Sequence, residues 1–212
     1  DYLMMFIWDT GFRVGYGFNS VDGAAQLAAS DTEVFTTYSQ ARLIAGDTTT
    51  FARLRLRMGD MAGESVETIL RCIRSRERVY EMPEGRRELY AREPDIKENV
   101  GGLRDYHAAL WGFYLRYGPV ALEDLQALGH LSPDDYLDLT GALDFLWRIR
   151  NELHFRTGRE EDRLSYAMQT DIAIKFGYGG TSERAHERFL EDYFAASQRV
   201  RWFYLHAMRI LH

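Results

Sequence analysis

The stretch EPDIKENVGGLRD, residues 93–105, interrupts a chain that otherwise has the periodicity of amphipathic helices. It places Lys97, one of only two lysines in the sequence, among acidic residues and ahead of a glycine pair. The whole turn-rich segment covers residues 82–105 and separates two helical runs. Segments of that length are commonly functional or disordered, so we expect this one to have a function.

The glycine pair allows a phosphate site at the start of the next helix. Glycine permits a positive φ and a close backbone approach, and the free N–H groups at a helix start face an anion. Cationic side chains would add charge, and an aspartate would act as a helix cap or as a carboxylate beside a metal. The candidate residues are Lys97, Gly101, Gly102, Arg104 and Asp105. The alternative is that the glycines only turn the chain and the charged side chains are solvated.

A second polar cluster follows a helix predicted from Pro133 to about residue 155. It consists of Arg150, His154, Asp162 and Arg163. By helical periodicity Arg150 and His154 lie at the edge of the apolar stripe of this helix, whereas Glu152 faces away from the core. One histidine among scattered carboxylates lacks the spacing of a metal site, so we interpret the cluster as an ion-pair network between two helices.

Apolar periodicity predicts a mainly α fold, in which a helical bundle is preceded by a small α/β remnant. YLMMFIW, residues 2–8, suits a short buried helix or strand, and FRVGYGFNSV, residues 12–21, suits a strand of a small sheet. The other predicted helices cover residues 31–45, 66–80 with a cap at 48–50, 106–117, a run that ends at 176 after a polar break at 157–162, and 182–211. The last of them has a heptad-like apolar stripe, which suits either packing within the bundle or a homodimer.

The composition is that of a soluble globular protein, with 212 residues, 46% apolar and 27% charged. A net charge of -6 argues against nucleic-acid binding. The apolar run at residues 2–8 is too short to span a membrane and lacks the basic flank of a signal peptide. The single cysteine, Cys72, excludes an internal disulfide and fits a reducing cytoplasm. Because the chain opens on an apolar run without a methionine, we expect it to be a piece of a larger protein.

Several segments carry a family resemblance, and they cover nearly the whole chain in the same order. They are IWDTGFRVGYGFNSV at residues 7–21, ARLIAGD at 41–47, EPDIKENVGGLRD at 93–105, the long helical run at 142–178, and FLEDYFAASQRV at 189–200. On these segments the chain resembles the bacterial protein-PII uridylyltransferase/uridylyl-removing enzyme family, which senses nitrogen status.

The resemblance implies a mixed architecture and a nucleotidyl transfer reaction. Residues 1–48 would be the C-terminal part of a polymerase-beta-like nucleotidyltransferase domain, and residues 49–212 the helical domain that flanks its cleft. The implied reaction moves a nucleotidyl group from a nucleoside triphosphate, UTP by resemblance, to a PII-like regulatory protein with the help of Mg²⁺. The superfamily holds magnesium with a Gly-Ser or Gly-Gly turn followed by Asp-x-Asp, a motif that this sequence lacks. The metal ligands are therefore expected outside it.

For the first cluster, the resemblance implies that Lys97 and Arg104 meet the triphosphate or the acceptor protein. The glycines would let the backbone approach, and Asp105 would orient Arg104 or cap its helix. Two departures favour an alternative, a non-catalytic signalling or interaction module derived from the family. Gln40 stands where the family usually has an acidic residue, and residues 16–19 read YGFN where the family typically reads His-Ser-x-Arg.

Overall fold

A computed structural model describes residues 2–10, 15–64, 70, 73 and 90–211, although not the side chains of residues 3, 32 and 61–64. This part of the chain is mainly α-helical, which confirms the predicted fold class. Within it, no helix combines the length and the apolar character that crossing a membrane requires. The helices are α1 (Tyr2–Asp9), α2 (Val21–Ser30), α3 (Thr32–Ser39), α4 (Thr48–Glu64), α5 (Leu103–Tyr117), α6 (Asp124–Ala127), α7 (Pro133–Thr157), α8 (Tyr166–Lys175) and α9 (Ser182–Leu211).

The chain divides into two compact units, Asp1–Met58 and Gly59–His212, with the boundary inside α4. Of the helix predicted over residues 66–80, only Leu70 and Ile73 belong to the described residues, and both are helical. The first part of the turn-rich segment, residues 82–89, also lies outside them.

The prediction of a strand over residues 12–21 is wrong for the residues that the structure describes. Residues 15–20 have no regular secondary structure, and residues 12–14 lie outside the described ranges. Ser20 instead caps α2, because its Oγ accepts a hydrogen bond from the Gly23 amide at 3.0 Å. Glycines weaken a strand, whereas a capping serine starts a helix, so local chemistry favours a coil that leads into α2.

The apolar stretch at residues 2–8 forms α1, but this helix is not buried as predicted. Tyr2, Met5, Phe6 and Trp8 are exposed, with Phe6 at 70%. A short helix that is apolar on most of its sides cannot cover them all against one neighbour, so composition alone does not fix burial here.

Helix α3, predicted to reach Ala45, ends at Ser39. Hydroxyl groups near its end bond back to main-chain carbonyls: Thr37 Oγ1 donates to Glu33 O at 2.8 Å, and Ser39 Oγ donates to Thr36 O at 2.9 Å. Such local side-chain bonds compete with the regular helix pattern, which accounts for the early stop.

Helix α9 forms the core of the second unit, because α5, α7 and α8 all pack against it. Its heptad-like stripe is buried, as the sequence predicts. The buried residues of the stripe are Ala185, Phe189, Tyr193, Ala196, Val200, Phe203 and Ala207. Each large apolar side chain contributes about 1.5–3 kcal/mol when it is fully buried, so this stripe supplies much of the stability of the unit.

Glu152 on α7 is buried, and the prediction that it faces away from the core is wrong. Its carboxylate accepts hydrogen bonds from Arg156 Nε and from Lys175 Nζ, each at 2.6 Å. Burial by itself would raise the pKa of Glu152, but the hydrogen bonds from Lys175 and Arg156 hold it below its usual value. A buried carboxylate stays charged when it is paired in this way, and the pairing joins α7 to α8.

Gly101 lies directly against α9, and Gly102 lies against the preceding loop. Gly101 has a φ of +76°, and a Cβ at this position would lie 2.2 Å from the carbonyl oxygen of Ser197. A Cβ on Gly102 would lie 2.8 Å from carbonyl oxygens of the preceding loop. The space that the missing side chains leave is therefore filled by the backbone of the protein itself.

Replacing Gly101 with alanine is expected to destabilise the second unit by about 3 kcal/mol. The left-handed backbone is unfavourable for alanine, and the added Cβ would overlap with the Ser197 carbonyl oxygen. Gly158→Ala is the matched control, since its φ is +64° but no atom lies within 4 Å of the added Cβ. There we expect only the backbone effect, about 1 kcal/mol. Urea unfolding measures both values, and equal losses would show that Gly101 is not pressed against α9.

Candidate functional site

Two stretches that are far apart in sequence pair with each other through their backbones. The Ile96 amide donates to the Asp162 carbonyl at 2.8 Å, and the Leu164 amide donates to the Pro94 carbonyl at 2.8 Å. An isolated antiparallel bridge between the residues in between completes the contact. The two polar clusters that the sequence presents separately therefore lie side by side.

The Glu93 carboxylate stabilises this backbone pairing. Glu93 accepts hydrogen bonds from Arg163 Nη2 at 2.6 Å and from the Tyr166 amide at 2.9 Å. The bond from the Tyr166 amide, followed by that from Arg163, lowers the pKa of Glu93. Arg163 is thus committed to Glu93, away from the other members of its predicted cluster.

Asp162 holds two side chains of α7. It accepts hydrogen bonds from Arg150 Nε at 2.6 Å and Arg150 Nη2 at 3.2 Å, and its Oδ1 lies 3.2 Å from His154 Nε2. Burial would raise the pKa of Asp162, but hydrogen bonds from Arg150 and His154 bring it below its usual value. Arg150, His154 and Asp162 thus form an ion-pair network between α7 and the non-helical segment that follows it, whereas the sequence analysis placed such a network between two helices.

The start of α5 does not offer free N–H groups to an anion, contrary to the expectation from the glycine pair. Its first amides already donate to carbonyls of the preceding loop. The pairs are Gly102 to Asn99 at 2.8 Å, Leu103 to Ile96 at 3.0 Å and Arg104 to Lys97 at 2.8 Å. Any anion at this end of the helix must therefore be bound by side chains.

Asp105 holds the backbone of the loop just before α5. Its carboxylate is fully buried and accepts a hydrogen bond from the Gly101 amide at 2.6 Å. Arg104 instead binds Glu98, with its Nε and Nη2 at 3.2 and 2.9 Å from Glu98 Oε1. Among the described residues, no group of three or more His, Cys, Asp or Glu side chains could hold a metal ion.

Cationic side chains from both clusters act on His107 through their charge. This histidine is half-buried on α5, one turn after Arg104. Burial lowers its pKa, and the positive charges of Arg104, Arg150 and Lys97 lower it further. Sequence reasoning missed His107, although its three-residue spacing from Arg104 places both on one helix face. We call Lys97, Arg104, His107 and Arg150 the basic cluster.

The members of the basic cluster differ in how their charge is balanced. Arg104 is paired with Glu98, and Arg150 with Asp162. No carboxylate among the described residues pairs with Lys97. The cluster therefore retains positive charge at the half-buried Lys97.

An aromatic pair borders the basic cluster. The Tyr106 ring lies 5.3 Å from the His107 ring and 6.1 Å from the Trp147 ring, between centroids. Trp147 precedes Arg150 by one turn of α7 and is 41% exposed. An exposed indole next to cationic side chains can stack with a planar ligand group that also carries negative charge.

Asp162→Asn is expected to lower the free energy of unfolding by about 2 kcal/mol near neutral pH, because charge-assisted hydrogen bonds to Arg150 and His154 are lost. Since the pKa of Asp162 is lower in the folded state, its contribution is full above about pH 4 and disappears as the pH falls through the folded-state pKa. Urea unfolding at several pH values tests this. Asp144→Asn is the control, because Asp144 and Arg148 form an exposed pair at 3.9 Å; a loss as large there would contradict the assignment.

Comparison with known proteins identifies relatives over most of the chain. Residues 73–207 match the family model described as GlnD PII-uridylyltransferase. The bifunctional uridylyltransferase/uridylyl-removing enzyme of Phenylobacterium zucineum is 34% identical over 207 residues, which cover 94% of this chain and 21% of that enzyme. The enzymes of the same name from Vibrio cholerae and Rhodospirillum rubrum are 31% and 32% identical, and each match covers 22% of the enzyme.

The matches to the Vibrio cholerae and Rhodospirillum rubrum enzymes cover 92% and 94% of this chain. The chain thus spans about a fifth of the length of these relatives. No solved structure gives a significant match. Because the family model matches most of the chain and the relatives share over 30% identity along it, this chain belongs to the GlnD PII-uridylyltransferase family.

Proposed function

We propose that this chain is the helical part of a nucleotidyltransferase that moves a uridylyl group from UTP to a PII-like regulatory protein. The observation that carries the proposal is the basic cluster, in a chain that belongs to a uridylyltransferase family. The Arg104 amide bonds to the Lys97 carbonyl, and the backbone bond from Ile96 to Asp162 brings the Arg150 pair alongside. The cluster supplies positive charge for the phosphates of a nucleotide. On this proposal the protein works in the cytoplasm, and residues 1–48 contribute to the nucleotidyltransferase domain.

Lys97 and Arg104 are the residues that contact phosphate in this proposal. Lys97 has an ammonium group without a carboxylate partner in the described part of the chain. Arg104 offers a planar guanidinium, which can exchange Glu98 for a phosphate oxygen pair. The pairing with Asp162 keeps Arg150 in place as a fixed positive charge. Gly101, Gly102 and Asp105 set the position of Arg104 and do not touch the ligand.

The exposed indole of Trp147 supports a nucleotide as the ligand. A pyrimidine base can stack on an aromatic ring, which contributes about 1–3 kcal/mol in single-stranded nucleic-acid complexes. Trp147 and Arg150 share one face of α7, so base and phosphate would both lie along this helix.

The Mg²⁺ ion that the family resemblance implies does not fit the residues described here. None of their carboxylates and histidines form a group that could hold a metal ion, and Asp105 is buried against the Gly101 amide. We therefore assign no catalytic step to magnesium within this unit. Its ligands would be residues other than those the structure describes.

Lys97→Ala and Arg104→Ala are each expected to raise the KM for UTP by tenfold or more, because a charge-assisted contact contributes about 1.5–3 kcal/mol. The measurement is transfer of labelled UMP to purified PII protein by the full-length gene product with Mg²⁺. Arg148→Ala is the control, since Arg148 lies on the other side of α7, over the Phe176 ring.

An unchanged KM in both cluster variants would contradict the assignment of the cluster. Wild-type protein that binds PII without transferring UMP would instead support the alternative, a non-catalytic module of the family.

A further inference from the structure

An open groove of about 390 Å³ lies between α7 and α9 in the second unit. Four of the residues that line it are small: Gly141 and Ala142 on α7, and Ala195 and Ala196 on α9. Because the distance between packed helices depends on the side chains at the contact, small residues on two neighbouring helices leave room for a third helix to approach closely. The larger side chains that line the groove are Asp138, Phe145, Asp192 and Arg199.

Gly141 lies in the interior of α7, where its own unit does not require a glycine. A Cβ added to it would have no neighbouring atom of the described residues within 4 Å. Glycine in a helix interior is less favourable than alanine, so the residue has a cost in the free protein. Close approach of another segment accounts for an isolated glycine of this kind, and that segment would lie outside the residues described here.

The charged side chains of the groove are not balanced within the unit. Arg199 pairs with Asp138, and the two side chains are 46% and 49% exposed. Asp192 accepts a hydrogen bond from the Tyr178 hydroxyl, and no cationic side chain of the described residues pairs with it. The groove therefore has two carboxylates for one guanidinium, and Asp192 is able to accept a cation from another molecule.

The residues that α9 contributes to the groove are arranged symmetrically about its two alanines. Asp192 comes three residues before Ala195, and Arg199 comes three residues after Ala196. If a second α9 crosses here in the antiparallel direction, Asp192 of each copy lies opposite Arg199 of the other. A parallel crossing would place like charges opposite each other, which is unfavourable. The charges thus select one partner and one direction.

We propose that this groove is a homodimer interface, in which α9 of a second copy lies antiparallel in the groove between α7 and α9. Each Asp192 then binds Arg199 of the other copy, and the small residues allow the two backbones to approach. The contact is isologous and closes as a two-fold dimer. This surface is distinct from the stripe of α9 that is buried within the unit. The inference does not depend on the proposed function, because it uses no residue of the basic cluster.

The first test fills the groove and measures the mass of the full-length gene product by sedimentation equilibrium between about 1 and 100 µM. We expect a dimer, and Gly141→Leu should raise its dissociation constant at least tenfold. Leucine favours helix more than glycine does, and the added Cβ has open space, so the fold is kept. Thermal unfolding checks this. Asn151→Leu is the matched control, because Asn151 is exposed on α7 but does not line the groove.

The second test examines the antiparallel register by exchanging charges. Asp192→Arg should weaken the dimer at least tenfold, because it places two cations opposite each other at both symmetric positions. Adding Arg199→Asp to the same chain restores opposite charges, so the double variant should recover most of the lost affinity. Asp138→Asn removes the internal partner of Arg199 and leaves the contact between copies, so the dimer should be equally tight or tighter.

Three results would overturn the inference. The first is protein that stays monomeric at about 100 µM, and the second is a dimer whose affinity is the same in Gly141→Leu and the wild type. The third is a double variant that dimerises no better than Asp192→Arg. Another segment of the full-length protein in the groove would also contradict the dimer. It would protect an Ala195→Cys thiol from alkylation in the monomer, as measured by peptide mass spectrometry.

Discussion

The contact between the Gly101 backbone and α9 fixes the position of the basic cluster. It requires a residue without a side chain and with a left-handed backbone, and the buried Asp105 carboxylate binds the Gly101 amide from the first turn of α5. Once this corner is set, the direction of α5 follows, and with it the positions of Arg104 and His107. The glycine pair thus serves the site indirectly, by allowing a tight corner between the loop and two helices.

The second constraint is the backbone pairing that joins the loop before α5 to the segment after α7. Only two amide-to-carbonyl bonds form it, at Ile96 and Leu164, yet they align carboxylates from both sides. Glu93 then holds Arg163, and Asp162 holds Arg150. These carboxylates are engaged by other groups, and no carboxylate of the described residues pairs with Lys97.

Sequence reasoning found the helices of the second unit because their apolar periodicity coincides with the packing against α9. It found the residues of both polar clusters, but not that backbone pairing unites them, because that contact joins residues far apart in sequence and depends on the tertiary fold. The burial of Glu152 was missed for the same reason. Arg156 is one turn away on the same helix, but the second partner, Lys175, lies on another helix. The incorrect strand had a local cause, since alternation in a glycine-containing stretch imitates a strand while Ser20 caps α2.

Glu98, the partner of Arg104, is more exposed than Asp162, the partner of Arg150. This difference gives the two arginines different properties. The Glu98 side chain is 48% exposed, so its pair with Arg104 is weak and can yield to a phosphate oxygen at little cost. The Asp162 side chain is 18% exposed and binds Arg150 with two hydrogen bonds, so releasing it would leave a poorly solvated carboxylate. On the proposed function, Arg150 would therefore act mainly through its electric field, whereas Arg104 and Lys97 would contact the phosphate. If the proposed function holds, a half-neutralised cluster of this kind would bind an anion reversibly, because Glu98 and Asp162 already offset part of the positive charge in the free protein.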